Sequence, residues 1–200
     1  MELRFNTVVK LKSGEDEFEA SFFLALNADM LRRITRLDFD YVLSEVTKAK
    51  RTKKYVDHLH KWLINTLLPV ADEGRFPDGS LLSFAERLFS WICEDPCGFE
   101  DFAFLNLCQI RHRQKKLSDS EIARLRKTAA DEEKSAMVRA GAYILLGDCT
   151  GFQTQHARLN EEDRKMFDAF PIMKLLHLGA SVPIEEARQS SLSHEGEVTC

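Results

Sequence analysis

Two stretches decide the fold: Leu117-Ser118-Asp119-Ser120-Glu121-Ile122, and Ala136-Met137-Val138-Arg139-Ala140-Gly141-Ala142-Tyr143-Ile144-Leu145-Leu146-Gly147. Ser118 and Glu121 have the spacing of a capping box. The Ser118 hydroxyl accepts from the Glu121 amide while the Glu121 side chain reaches back. The box opens a short helix through Ile122 and Leu125. Residues 136–146 form an Ala- and Leu-rich helix that Gly147 stops as a C′ residue. The connection between the two is short, so the helices are antiparallel neighbours.

The same pattern extends in both directions. Downstream, Asn160-Glu161-Glu162-Asp163 caps another helix and sets acidic residues at the positive end of its dipole. Phe170-Pro171 interrupts it, and Met173, Leu175 and Leu176 carry on towards Gly179. Upstream, Tyr55, Leu59, Trp62, Leu63, Thr66 and Leu67 make one apolar stripe, which Pro69 is expected to end. A second stripe runs through Leu81, Ala85, Leu88, Phe89 and Ile92 to Asp95-Pro96. A third, rich in Phe, holds Phe99, Phe102, Leu105 and Ile110. The expected fold is mainly α: short antiparallel helical hairpins, stacked HEAT-like or as a compact irregular bundle.

The first 36 residues read differently. Phe18, Ala20, Phe22 and Leu24 alternate with polar residues after the turn at Ser13-Gly14, which reads as a β-hairpin. Phe22, Leu26, Met30 and Ile34 also keep helical spacing, so a helix over about 17–33 competes. The expected organisation is an N-terminal hairpin or extension over 1–36, a helical domain over 37–186 and a loose tail over 187–200, where no apolar period survives.

Composition sets the outer limits. The chain has 200 residues, 44% of them hydrophobic and 30% charged, with a net charge of −4. A chain this long can bury about 70% of its extended surface, enough for a core without metal or disulfide. No apolar run approaches the ~18 residues of a membrane span. The acidic balance excludes a globally basic nucleic-acid binder but leaves room for a local patch. Five Cys, an odd count, together with no visible secretory signal, point to reduced thiols and a cytoplasmic setting.

Four patterns bear on chemistry. Cys93-x3-Cys97-x10-Cys108-x3-His112 offers four zinc-type donors. Pro96 inside the first pair, and the apolar neighbours Trp91 and Ile92, favour small buried thiols instead, so no metal is expected. Two basic clusters, Lys50, Arg51, Lys53 and Lys54 at the start of one helix and Arg111, Arg113, Lys115 and Lys116 at the end of another, are candidate contacts for a nucleic-acid backbone. A solvated charged face accounts for them equally well. Finally, Arg51-x6-His58, with His60 two residues on, is similar to the Arg and His pair of helical ribonucleases of the HEPN type. There the His serves as acid or base and the Arg stabilises the phosphate. No phosphate-binding glycine loop, nucleophile elbow or His-Glu-x-x-His element is present, and no motif calls for a cofactor.

The segments Phe104–Arg111, Leu117–Ile122, Val138–Asp148 and Phe167–Leu176 together resemble the HEAT-like helical region that follows the polymerase in bacterial abortive-infection and defence-type reverse transcriptases. The resemblance covers about residues 101–176. The polymerase palm with its paired aspartates has no counterpart here, so no catalytic residue carries over. The resemblance implies an accessory helical part of a reverse-transcriptase-type phage-defence system. The function expected is a non-catalytic helical binding module for a protein partner, an RNA or a DNA strand, with neither membrane nor small-molecule ligand. Its alternatives are a small HEPN-like ribonuclease using His58 or His112 and a zinc-stabilised regulatory domain.

Overall fold

The computed structural model describes residues 39–74 and 79–176. The expected hairpin over 1–36 and tail over 187–200 lie outside them. The described residues are mainly helical and contain no strand. The chain divides into two compact units, Met1–Lys50 and Arg51–Cys200. Of the first unit, the described part is helix α1 (Phe39–Lys48), with Val42 and Val46 fully buried and Lys48 paired to Glu45 at 2.6 Å.

The second unit begins with α2 (Lys53–Trp62), capped by the Thr52 side chain, which accepts from the Tyr55 amide. Pro69 does not end this helix. A π-helical segment, Leu63–Leu67, follows α2 directly, and α3 (Leu68–Asp72) continues with Pro69 in its first turn. The Leu68 amide donates to the Leu63 carbonyl, one residue further back than in an α-helix. Proline lacks the amide that an α-helical register needs and its ring crowds the carbonyl four residues back. The wider π register absorbs both defects without a break.

Two helical hairpins follow: α4 (Ser80–Glu94) with α5 (Glu100–Arg113), then α6 (Asp119–Ala130) with α7 (Ala136–Leu145). The second helices, α5 and α7, also pack on each other, as in stacked hairpins. Helix α8 (Cys149–His156) lies against α7; α9 (Glu161–Asp168) and a 3-10 turn (Pro171–Lys174) complete the unit. Gly151 allows the close approach of α8, since a Cβ there would stand 2.3 Å from the Tyr143 ring. The core gathers Leu105, Cys108, Leu125, Val138, Ile144, Phe152, Phe167 and Ile172 from α5 to the 3-10 turn.

Local signals decide the helix ends. The Ser118–Glu121 capping box forms in full. Gly147 stands at φ 70°, with its amide on the Ile144 carbonyl and the Asp148 amide on the Tyr143 carbonyl, a complete Schellman motif. Asn160 caps α9 by accepting from the Asp163 amide. Helix α5 departs from the expected stripe. Every residue from Ala103 to Ile110 is buried, so it is the central rod of the unit. Phe102, read as part of the apolar stripe, is instead 40% exposed.

Candidate functional site

Burial on all sides leaves α5 with two amide side chains inside the protein, Asn106 and Gln109. Such groups need partners, and they find them in a continuous chain. Gln109 Nε2 donates to Asn106 Oδ1 at 2.5 Å, and Asn106 Nδ2 donates to His60 Nδ1 at 2.7 Å. With Nδ1 accepting, the proton of neutral His60 sits on Nε2, among the rings of Phe89 (5.1 Å, edge-on) and Phe99 (5.5 Å). Burial pushes the His60 pKa down to about 4. At the other end, Arg113 Nη1 donates to Gln109 Oε1 at 3.4 Å, while Nε and Nη2 grip both oxygens of Asp72 at 2.7 and 3.1 Å. Arg113 Nη2 also donates to the Pro171 carbonyl at 2.9 Å, and Lys174 Nζ stands 3.5 Å from Asp72. Residues 106, 109 and 113 share one face of α5 by their helical spacing.

Directly over this chain of amides lies a cleft of about 40 Å³. Leu105, Asn106, Gln109 and the 40% exposed Phe102 line it from α5. Ile64, on the π-helical segment, and Phe167, Phe170, Pro171 and Ile172 also line it. Met137 and Gly141 of α7 line it as well. Gly141 gives the cleft depth: a Cβ there would come within 3.2 Å of Leu105 Cδ1 and 3.6 Å of Ile172 Cδ1. Arg113 links two of the segments that line the cleft, because Asp72 terminates the helix that carries Ile64 and the Pro171 carbonyl accepts from Arg113 Nη2.

The basic residues singled out in the sequence divide into two kinds. The arginines are engaged. Arg51 pairs with Glu94 at 2.9 Å and lies 4.1 Å over the Trp91 ring; Arg111 bridges Glu86 at 2.9 Å and Glu121. The Arg113 side chain is only 6% exposed. The lysines of the second unit, Lys53, Lys54, Lys115 and Lys116, are exposed. Lys53 faces the Phe99 ring at 5.8 Å and Lys116 stands 3.9 Å from Glu86. Lys50 belongs to the first unit.

The other two patterns are also placed. His58 Nδ1 lies 2.7 Å from the Lys54 carbonyl, a different partner from those of Arg51. Cys93, Cys97 and Cys108 carry free thiols; Cys108 is fully buried, and burial pushes its pKa up to about 12. Among the described residues, no group of three or more His, Cys, Asp or Glu side chains is arranged to hold a metal ion. Among the described residues, no helix is long and apolar enough to cross a membrane either.

The site missed at the sequence level is the cleft itself. The spacing of Asn106, Gln109 and Arg113 was its one local trace, visible as polar residues at i, i+3 and i+7 in a Phe-rich helix. No family model matches the chain, and no curated protein or solved structure matches it.

Proposed function

We propose that the chain is a non-catalytic helical binding module that holds a protein partner through the cleft on α5. The size and lining of the cleft carry this reading. At about 40 Å³ it admits three or four water-sized groups, the bulk of one branched aliphatic side chain. Sites for cofactors and metabolites run to ~300–1,000 Å³. The exposed Phe102 supplies the apolar surface that a partner covers first. The nucleic-acid reading has less support. Its arginines, the residues best shaped for phosphate, are held in ion pairs, and the exposed lysines remain as separate point charges.

The resemblance of residues 101–176 to the region following the polymerase of defence-type reverse transcriptases suggests the setting. In that setting the module serves a phage-defence assembly and its partner is the polymerase part.

The reading is tested by selecting ligands from a random peptide display library on the purified chain. Binding ligands should carry an aliphatic anchor and lose most of their affinity for Gly141→Ala, which adds a methyl group to the cleft. Ligands that bind both proteins equally would overturn it. So would tight oligonucleotide binding at ~50 mM salt that collapses at ~200 mM, the mark of phosphate contacts.

A further inference from the structure

The described residues end at Leu176, just after the 3-10 turn Pro171–Lys174, and two residues of that turn, Pro171 and Ile172, line the cleft. Leu175 is buried in the core at 3% exposure, so the chain enters its next residues from a point fixed near the cleft. From Leu176 back to Ile172 is four residues, about 8 Å at the ~2 Å per residue of a 3-10 helix.

Residues 177–184 read His-Leu-Gly-Ala-Ser-Val-Pro-Ile. The cleft takes the bulk of one branched aliphatic side chain, and this stretch holds Leu178, Val182 and Ile184. Leu178 follows Leu176 by two residues, a span of ~7 Å even when fully extended, which leaves no length to turn back. Val182 follows by six residues, a span of up to ~20 Å. Gly179 lies between them, where a reversal of the chain costs least. Val182 and Ile184 flank Pro183. A residue before proline is confined to extended backbone, and extended residues two apart face the same side. The pair therefore offers two anchors for one pocket, with part of the ordering cost already met by the proline ring.

Resting on the docking role proposed above, we infer that the cleft is filled by the chain's own Val182-Pro183-Ile184 segment, and that a partner docks by displacing it. The length of the connection selects this occupant over a separate molecule. A tether this short holds its anchor at about millimolar effective concentration. For an anchor with an affinity of ~0.1 mM, that concentration fills the cleft about nine times in ten and weakens a competing ligand about tenfold.

The test uses a fluorescein-labelled peptide with the sequence of residues 178–188, its binding to the full chain and to full-chain variants read by fluorescence polarisation. Val182→Ser with Ile184→Ser removes both anchors without adding charge; matching circular dichroism spectra check that the helices are unchanged. The peptide should bind this double variant about tenfold more tightly than the wild-type chain, whose own segment competes. Adding Gly141→Ala or Ile64→Phe to the double variant, two independent ways of filling the pocket, should abolish that binding. Equal binding to the wild-type chain and the double variant, no binding to the double variant, or binding indifferent to both pocket-filling changes would overturn the inference. So would a wild-type dimer that the double substitution converts to monomer, because the segment would then sit in the cleft of a second copy. In each of these cases, library-selected ligands that still lose affinity for Gly141→Ala leave the docking role standing. Selected ligands indifferent to Gly141→Ala would remove the docking role as well.

Discussion

Arg113 holds Asp72 through two parallel hydrogen bonds, Nε to Oδ1 at 2.7 Å and Nη2 to Oδ2 at 3.1 Å, 41 residues apart in the chain. The pair fastens the end of α3 to the end of α5, and a third bond, to the Pro171 carbonyl, draws in the 3-10 turn. Its geometry is the bidentate fork that only arginine provides.

Removing the fork should therefore cost more than an ordinary surface ion pair. Arg113→Met leaves the Asp72 carboxylate, whose side chain is 19% exposed, with Lys174 at 3.5 Å in place of the fork. Breaking a fully buried pair costs about 3–5 kcal/mol. The residual hydration of Asp72 brings the expected loss to about 2–3 kcal/mol, read as a lower urea midpoint at constant slope. Arg113→Lys should recover less than half of it, because one ammonium cannot serve both Asp72 oxygens and Pro171. Full recovery by Lys would show that charge alone, without the fork, does the fastening.

His60 makes the unit sensitive to acid. Its folded pKa is lowered to about 4 from an unfolded value of 6.5. Between those values the unfolded chain binds a proton that the folded protein does not, so stability rises with pH across this window. The contribution is fully present above about pH 6.5 and is lost progressively as pH falls to about 4. A difference of that size corresponds to about 3 kcal/mol. His60→Phe cannot titrate and also leaves Asn106 Nδ2 without its acceptor. It should be less stable at neutral pH, and its stability should depend less steeply on pH between 6.5 and 4. Parallel slopes for the two proteins would place the acid sensitivity elsewhere.

Lys115 occupies a position built for glycine. It is the C′ residue of α5 at φ 57°, with its amide on the His112 carbonyl and the Lys116 amide on the Arg111 carbonyl. A left-handed conformation costs a residue with a Cβ about 1–2 kcal/mol. The unfolded-chain entropy of glycine offsets part of the gain. Lys115→Gly should stabilise the protein by about 0.5–1 kcal/mol, measured by thermal or urea unfolding. A loss of stability would mean that the Lys115 side chain contributes contacts outweighing the strain.

The legible parts of this chain were those whose cause lies within a few residues. The Ser118–Glu121 box, the Gly147 motif and the Asn160 cap each involve partners three to five positions apart, and each forms. Pro69 misled because the signal for a helix stop is local, while the π register that carries the helix past it needs the packed surroundings of Leu63 and Leu67. Arg111 and Arg113 read as phosphate ligands because Glu86, Glu121 and Asp72 lie 25, 10 and 41 residues away. Nothing local separates a cation awaiting an anion from one that already has a carboxylate. The cleft draws its lining from four separated parts of the chain, from Ile64 to Ile172, so no window of sequence contains it.

Trp62 joins both levels of reading. The stripe of Tyr55, Leu59 and Leu63 predicts its burial, and it is 9% exposed, standing edge-on to Phe84 at 6.0 Å. Its indole Nε1 has no hydrogen-bonding partner among the described residues. The side chain thus acts through bulk and shape, and two substitutions separate that role from a polar one. Trp62→Ala should cost about 3–5 kcal/mol, the range for truncating a buried aromatic. Trp62→Phe keeps an aromatic ring against Phe84 and gives up no hydrogen bond, so its cost should stay near 1–2 kcal/mol, set by the volume lost. If Phe proved as damaging as Ala in equilibrium unfolding, the indole nitrogen would have to hold a partner after all, and the packing account of Trp62 would fail.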